Sequence, residues 1–161
     1  MSQSAGCEPT ATSRPPWSMV AQARTRGALL DALVRRAQAL PPIRMGVIHP
    51  CDARSVEGAI AARDKGLIVP TLIGPRAKIE AAARASGVSL EGVEIVDAPH
   101  SHAAADQAVE LVRRGRLHAL MKGALHTDEL MTAVIRDGAG LRTDRRISHV
   151  FVIDAPYYHK L

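Results

Sequence analysis

The sequence predicts an α/β fold in which a parallel sheet carries helices on both faces. Short runs rich in Val, Ile and Leu alternate with longer stretches of helical spacing, and glycine or proline punctuates the joins. Strand and helix in strict alternation imply right-handed crossovers and a sheet covered on both sides. The apolar supply fits this. Of the 161 residues 47% are apolar but only 2% aromatic, so the core must be built from Ala, Val, Ile and Leu. A chain of this length has room for one domain with a real core.

Residues 1–20 are rich in Ser, Thr, Pro and Gly without periodicity, and "RPPW" favours extended backbone; they are expected to form a disordered tail or linker ahead of an α/β domain over 21–161. In "GALLDALVRRAQAL" (27–40), Leu29, Leu30, Leu33, Val34, Ala37 and Leu40 share one helical face, and Pro41 and Pro42 end the helix. The expected strands are "IRMGVI" (43–48), "IVPTLIG" (68–74), "VEIVD" (93–97), "LHALM" (117–121) and "ISHVFVI" (147–153). Helices are expected over 53–65, 76–86, 102–115 and 127–137. Pro70 places the second strand at a sheet edge, or itself at that strand's start. In open α/β sheets ligands sit beyond the carboxyl ends of the strands. The loops to search are therefore "HPCDARS", "GPRAK", "DAPHSHA", "KGALHTDE" and "DAPYYHKL".

A net charge of +5 and a pI near 9.8 point to an anionic partner. The basic residues are dispersed and almost no aromatics are available to stack bases, which argues against nucleic acid. Cys7 and Cys51 are too few for a disulfide framework and suit a reducing compartment. No apolar run is long enough to span a bilayer, and the polar N-terminus lacks the apolar stretch of a signal peptide, so a cytoplasmic location is expected.

"KGALHTDE" follows a strand and opens a helix, whose first N–H groups and dipole favour an anion. Lys122 would supply charge, Gly123 a close backbone approach, and Thr127 a helix cap or a hydroxyl for phosphate. The alternative is a capped helix with a solvated lysine. The loop is not a Walker sequence, whose GxxxxGK[ST] order is missing. In "GAGLRTDRRISHV", Arg142, Arg145 and Arg146 suit bidentate binding of phosphate or carboxylate; a solvated loop with one ion pair to Asp144 competes. Asp52 reads as a helix cap, His49 as a loop histidine in preference to a ligand contact, and Arg76 as a lesser anion contact. His100 and His102 lack an obvious third ligand, so no metal is expected. Ser148, His126 and Asp154 could be assembled into a triad on paper, but no nucleophile-elbow sequence supports one.

Taken together, "HPCDARSVEGAIAARDKGLIVPTLIGP", "VDAPHSHAAADQAVELVRRG", "ALMKGALHTDELMTAVI" and "GLRTDRRISHVFVIDAP" resemble the phosphate acetyl/butyryltransferase family. The likeness is nearest to the branch of phosphate butyryltransferases and bifunctional enoyl-CoA hydratase/phosphate acetyltransferases. It implies acyl transfer between an acyl phosphate and coenzyme A, with both as substrates and no tightly bound cofactor. By that resemblance Lys122, Gly123, His126 and Thr127 line the phosphate or acyl region. Arg142, Thr143, Arg145, Arg146 and Ser148 belong to an interdomain face, and His126 and Ser148 are the weak candidates for catalysis.

The family's fold implies two α/β domains of isocitrate/isopropylmalate dehydrogenase type, with the site in the cleft between them. This chain matches the first of them and stops at Leu161. The later Ser-Arg and Asp positions that the family credits with thiol activation have no counterpart, so the chain alone is expected to hold an incomplete site. Acetyl-specific members commonly carry an arginine in the helix where Thr132 and Ala133 stand here. An apolar face left uncovered would favour a homo-oligomer or a partner chain.

Overall fold

A computed structural model describes residues 27–138 and 140–154. The tail expected over 1–20 and the end of "DAPYYHKL" lie outside the described residues. Two compact units divide the chain: Ala32–Val150 holds the sheet, and residues 27–31 with 151–154 are the described part of the other. In that second unit the Asp154 carboxylate accepts the backbone N–H of Leu29 at 3.1 Å.

The strands are β1 (Ile43–Ile48), β2 (Ile68–Gly74), β3 (Glu94–Asp97) and β4 (Ala119–Lys122). The helices are α1 (Ala28–Gln38), α2 (Ala53–Asp64), α3 (Arg76–Ser86), α4 (Ser101–Arg113) and α5 (Thr127–Ile135). Every strand pair is parallel, in the order β3-β2-β1-β4. The α/β expectation is thus met, with helices on both faces. Successive residues of β1 and β2 point to opposite sides. Val47 and Leu72 pack with Ala59 of α2 and Ile79 of α3. Their neighbours Ile48 and Ile73 pack with Ala104, Ala105, Ala108 and Val109 of α4 and Ala133 of α5. Alanine on α4 lets that helix lie close to the strands, which is how an aliphatic core closes without aromatic bulk.

Local sequence sets the ends of these elements. Asp52 caps α2 by accepting the Ser55 N–H at 2.9 Å, and α3 stops at Gly87, whose left-handed φ of 69° is free of strain only without a Cβ. The Ser55 hydroxyl and N–H hold the Asp52 carboxyl below its ordinary pKa.

Two expectations fail. Residues 147–153 form no strand: Val150 and Phe151 are about three-quarters exposed, at 76% and 75%. Alternation and β-branching report only that a segment suits a sheet, and a strand also needs a neighbour to pair with. Pro70 does not mark a sheet edge, because β2 lies between β1 and β3. Its missing N–H is tolerated because β3 first pairs at Glu94 opposite Thr71, one residue later. The helix α1 forms as expected but buries no residue, leaving Leu30, Leu33 and Leu40 exposed.

Strand order positions the functional region. The chain runs from β1 through β2 to β3 on one side, then returns to lay β4 on the other side of β1. The connections therefore part between the carboxyl ends of β1 and β4, the position where open α/β sheets bind ligands. There the loops are tied directly, Gly123 N–H donating to the Ile48 carbonyl and Ala124 N–H to the His49 carbonyl, both at 2.9 Å. A Cβ on Gly123 would stand 2.5 Å from the Ile48 carbonyl oxygen and 3.0 Å from the His49 carbonyl group. The close approach served by this glycine is to the β1 backbone.

Leu72 is fully buried, so Leu72→Ala should lower unfolding free energy by about 2–5 kcal/mol in urea denaturation, whereas Val69→Thr at the half-exposed start of the same strand should change it by under about 0.5 kcal/mol. Equal effects would contradict the burial assigned to these two positions. Gly123→Ala should cost about 1–3 kcal/mol and speed amide exchange at Ala124, because the added carbon meets backbone that cannot rotate away. Wild-type exchange at Ala124 in that variant would show that the two loops are not joined this way.

Candidate functional site

At the parting point a recess of about 390 Å³ is lined by His49, Ser101, Lys122, Gly123, Leu125, His126 and Glu129, with Ala124 at its rim. It joins the carboxyl ends of β1 and β4 to the first residues of α4 and α5. Three of the residues singled out in the sequence, Lys122, Gly123 and His126, are brought together here. Thr127 is not among the lining residues. It is the first residue of α5, whose cap position is held by His126, so the expected Thr127 cap is replaced. The His126 N–H is satisfied by the Glu129 carboxylate at 2.8 Å.

Glu129 organises the recess from the α5 side. Besides the His126 N–H it accepts the Ser101 hydroxyl at 2.7 Å, and His102 Nδ1 stands 3.3 Å from the same oxygen. The Ser101 hydrogen bond first, and the His126 N–H second, hold this carboxyl below its ordinary pKa. With Asp128 also in the first turn, the positive end of α5 already faces two acids of its own. An acid three residues after the cap is a signal of this arrangement, masked in the sequence because the cap is a histidine.

Lys122 faces the other way electrically. Its ammonium donates to the Leu125 carbonyl at 2.7 Å, with the Gly123 carbonyl at 3.4 Å, so the lysine braces its own loop as well as charging it. His49, a loop histidine, also lines the recess, and its ring Nδ1 lies 2.7 Å from the Ala124 carbonyl. Its φ of 52° is the one positive value outside glycine among the described residues. No sequence signal announces that conformation, because it follows from the junction of loops distant in the chain.

The arginine-rich segment forms a second recess, of about 420 Å³, lined by Ile135, Arg142, Thr143, Asp144, Arg145, Arg146 and Ile147. The two recesses share no residue. Arg142 pairs with Asp137 at 3.2 Å, a different acid from the Asp144 of the solvated-loop alternative, and the Thr143 hydroxyl accepts the Arg145 N–H at 3.1 Å. Arg145 and Arg146 are exposed and make no ion pair among the described residues. Ser148 is exposed and lines neither recess.

Other candidates are spent on the fold. The Asp154 carboxylate serves the start of α1. Arg76 ties α3 to β3, its N–H on Asp97 at 2.8 Å and its guanidinium on the Ile95 carbonyl at 3.0 Å. His100 caps α4 by accepting the Ala103 N–H. Among the described residues no group of three or more His, Cys, Asp or Glu is arranged to hold a metal. None of the described helices is long and apolar enough to cross a membrane. Burial pushes the Cys51 thiol up, away from the reactive thiolate.

No protein-family model matches the chain. Individual proteins do. A phosphate acetyltransferase of Rhizobium meliloti is 55% identical over 126 residues, covering 78% of this chain and 40% of the relative. A phosphate acetyltransferase of Rickettsia typhi is 48% identical over 128 residues, 80% of this chain and 37% of the relative. A phosphate butyryltransferase of Clostridium beijerinckii is 29% identical over 131 residues, 81% of this chain and 43% of the relative. The chain thus spans about two fifths of the length of these curated relatives. Over that span, its sequence is similar to proteins named phosphate acetyltransferase and phosphate butyryltransferase.

Proposed function

We propose that the chain carries the phosphate-facing part of a phosphate acyltransferase, which exchanges an acyl group between an acyl phosphate and coenzyme A. The observation that supports it is the position of the "KGALH" loop. In a chain 55% identical to a phosphate acetyltransferase, this loop stands where the sheet connections part. Acetyl is favoured over butyryl as the group transferred, because four relatives named phosphate acetyltransferase are 45–55% identical, against 29–32% for two named phosphate butyryltransferase; a fifth phosphate acetyltransferase, at 28%, stands level with the latter.

In this reading the thiolate of coenzyme A attacks the acyl carbonyl, a carbon–sulfur bond forms, and negative charge gathers on the carbonyl oxygen. The bond from carbon to the bridging phosphate oxygen then breaks and inorganic phosphate leaves. Lys122 and the Gly123 loop neutralise and position the phosphoryl group, and His126 borders the acyl end. Arg142, Arg145 and Arg146, with Thr143 and Ser148 nearby, present a second anionic contact for coenzyme A. Thr127, outside the lining, is left a supporting place at the start of α5. Neither a metal, a covalent acyl-enzyme nor a tightly bound cofactor enters this scheme.

We further infer that 21–161 corresponds to the first domain of a dehydrogenase-like two-domain architecture, preceded by a tail over 1–20, in a cytoplasmic enzyme. The two recesses then require a facing wall, from a second domain, a partner chain or another copy. The exposed apolar stretch Ile147 to Ile153 supports such association. A second reading, a non-catalytic binding module that needs a partner, is supported by the exposure of Lys122, Arg145 and Arg146.

Acetyl phosphate and coenzyme A incubated with this chain alone should give binding without robust thioester formation, followed spectrophotometrically at the thioester band. Sustained turnover would refute the need for a facing wall. In titration calorimetry with coenzyme A, Lys122→Ala and Arg145→Ala should each weaken affinity by about tenfold, the scale of one charge-assisted hydrogen bond. Unchanged affinity in both variants would remove these residues from the site.

A further inference from the structure

The backbone at His49 is a departure that glycine would relieve. A left-handed residue with a Cβ is disfavoured, and persists only where its surroundings fix it. Here they do. His49 N–H donates to the Ile73 carbonyl at 2.7 Å, and its carbonyl accepts from both Cys51 N–H at 2.8 Å and Ala124 N–H at 2.9 Å. A Cβ on Gly74 would lie 3.2 Å from His49 Cα, so the loops after β1, β2 and β4 all close on this residue. Glycine would meet the backbone demand at lower cost, which makes the imidazole itself the feature to explain.

The ring is oriented by the 2.7 Å contact of Nδ1 with the Ala124 carbonyl. A carbonyl only accepts, so Nδ1 carries a hydrogen whether the ring is neutral or charged. Nε2 is then the one polar atom of His49 without a partner among the described residues. It is an acceptor in the neutral ring and a donor in the imidazolium. The recess makes that difference count, because the formal charges of Lys122 and Glu129 at its walls cancel. A proton on His49 turns a neutral recess into a cationic one.

We propose that His49 is a ligand-contacting residue of this recess, with Nδ1–H fixed on the Ala124 carbonyl and Nε2–H of the imidazolium donated to a bound phosphoryl oxygen. The inference rests on the reading of the recess as a phosphate site. Binding of the anion and of one proton are then coupled. An anion favours the charged ring, so affinity is highest below the histidine range and falls as pH rises through it. Other titratable groups stand near and must be separated from it. His126, Lys122 and Glu129 line the recess, and His102 reaches Glu129 from α4. Cys51 and Asp52 follow on the same loop, with Lys78 of α3 acting on Cys51. Asp97, at the end of β3, is taken up by the Arg76 N–H.

The test is nitrogen-15 NMR of the histidine rings and of the Gly123 amide in the whole chain. The chain is titrated with inorganic phosphate between about pH 5.5 and about pH 8, the span in which histidine changes charge. Sulfate, a tetrahedral dianion that does not itself titrate there, is run alongside. His49 should hold its hydrogen on Nδ1 throughout, and either anion should shift Nε2 and raise the ring's titration midpoint. His49→Asn keeps a residue tolerant of the left-handed backbone and should melt within a few degrees of the wild type. Its anion affinity on the acid side should fall about tenfold and its sulfate binding should lose the pH dependence. His126→Asn should retain that dependence.

A neutral ring protonated at Nε2, or a pH dependence that survives His49→Asn and disappears in His126→Asn, would overturn the proposal. If the anions shift the Gly123 amide but leave the His49 ring unmoved, this inference fails while the phosphate site stands. If neither responds, both fall.

Discussion

The structure depends on one close approach, between the end of β4 and the end of β1. Two backbone hydrogen bonds, from Gly123 to the Ile48 carbonyl and from Ala124 to the His49 carbonyl, continue the parallel ladder past the last paired residues. They form only because position 123 has no side chain to meet the β1 backbone. From that junction follow the direction in which β4 leaves the sheet, the place where α5 begins, and the wall on which Lys122, His126 and His49 meet. A glycine that reads in sequence as room for a ligand is used first as room for the fold, and the ligand-facing surface is what the fold leaves over.

That distinction explains which features were legible. Strand and helix identity from 43 to 135 could be read because each segment's own periodicity carries it: Val47 and Ile48 face opposite sides whatever else the chain does. The Asp52 cap was legible for the same reason, since its partner Ser55 is three residues away. Residues 147–153 carry an equally good strand pattern and form none, because pairing depends on a neighbour that no local pattern specifies. The place of His49 was only half legible, and that of Glu129 was missed, on the same ground. The role of His49 comes from loops far along the chain, at Gly74 and Ala124. That of Glu129 comes from Ser101 and His102, on a helix that the sheet order alone brings alongside.

The charges of the recess qualify a simple helix-dipole account of anion binding. The first turn of α5 has Asp128 and Glu129, and Glu129 already holds the cap N–H and the Ser101 hydroxyl. An anion approaching this helix end meets a carboxylate satisfied by the donors it would use. Attraction must come from the β-strand side, from Lys122 and from whatever proton His49 holds. The acids of α5 offset the charge of Lys122 at the recess.

Under the proposed function, a recess of this kind is half of what acyl transfer demands. Thiolate attack on an acyl phosphate competes with attack by water, so the reacting carbonyl has to be enclosed, and donors must be held at the oxygen where charge gathers. Lys122 and His126 are exposed, and the arginine recess is a separate, equally open surface. Under the proposed function, phosphate and coenzyme A would be held on such surfaces, because positioning of anions needs charge and hydrogen bonds but not enclosure. Exclusion of water needs a second wall. On that reading binding and catalysis are separable, and a surface that faces Lys122 across the recess would decide the reaction rate while changing the affinity for phosphate far less.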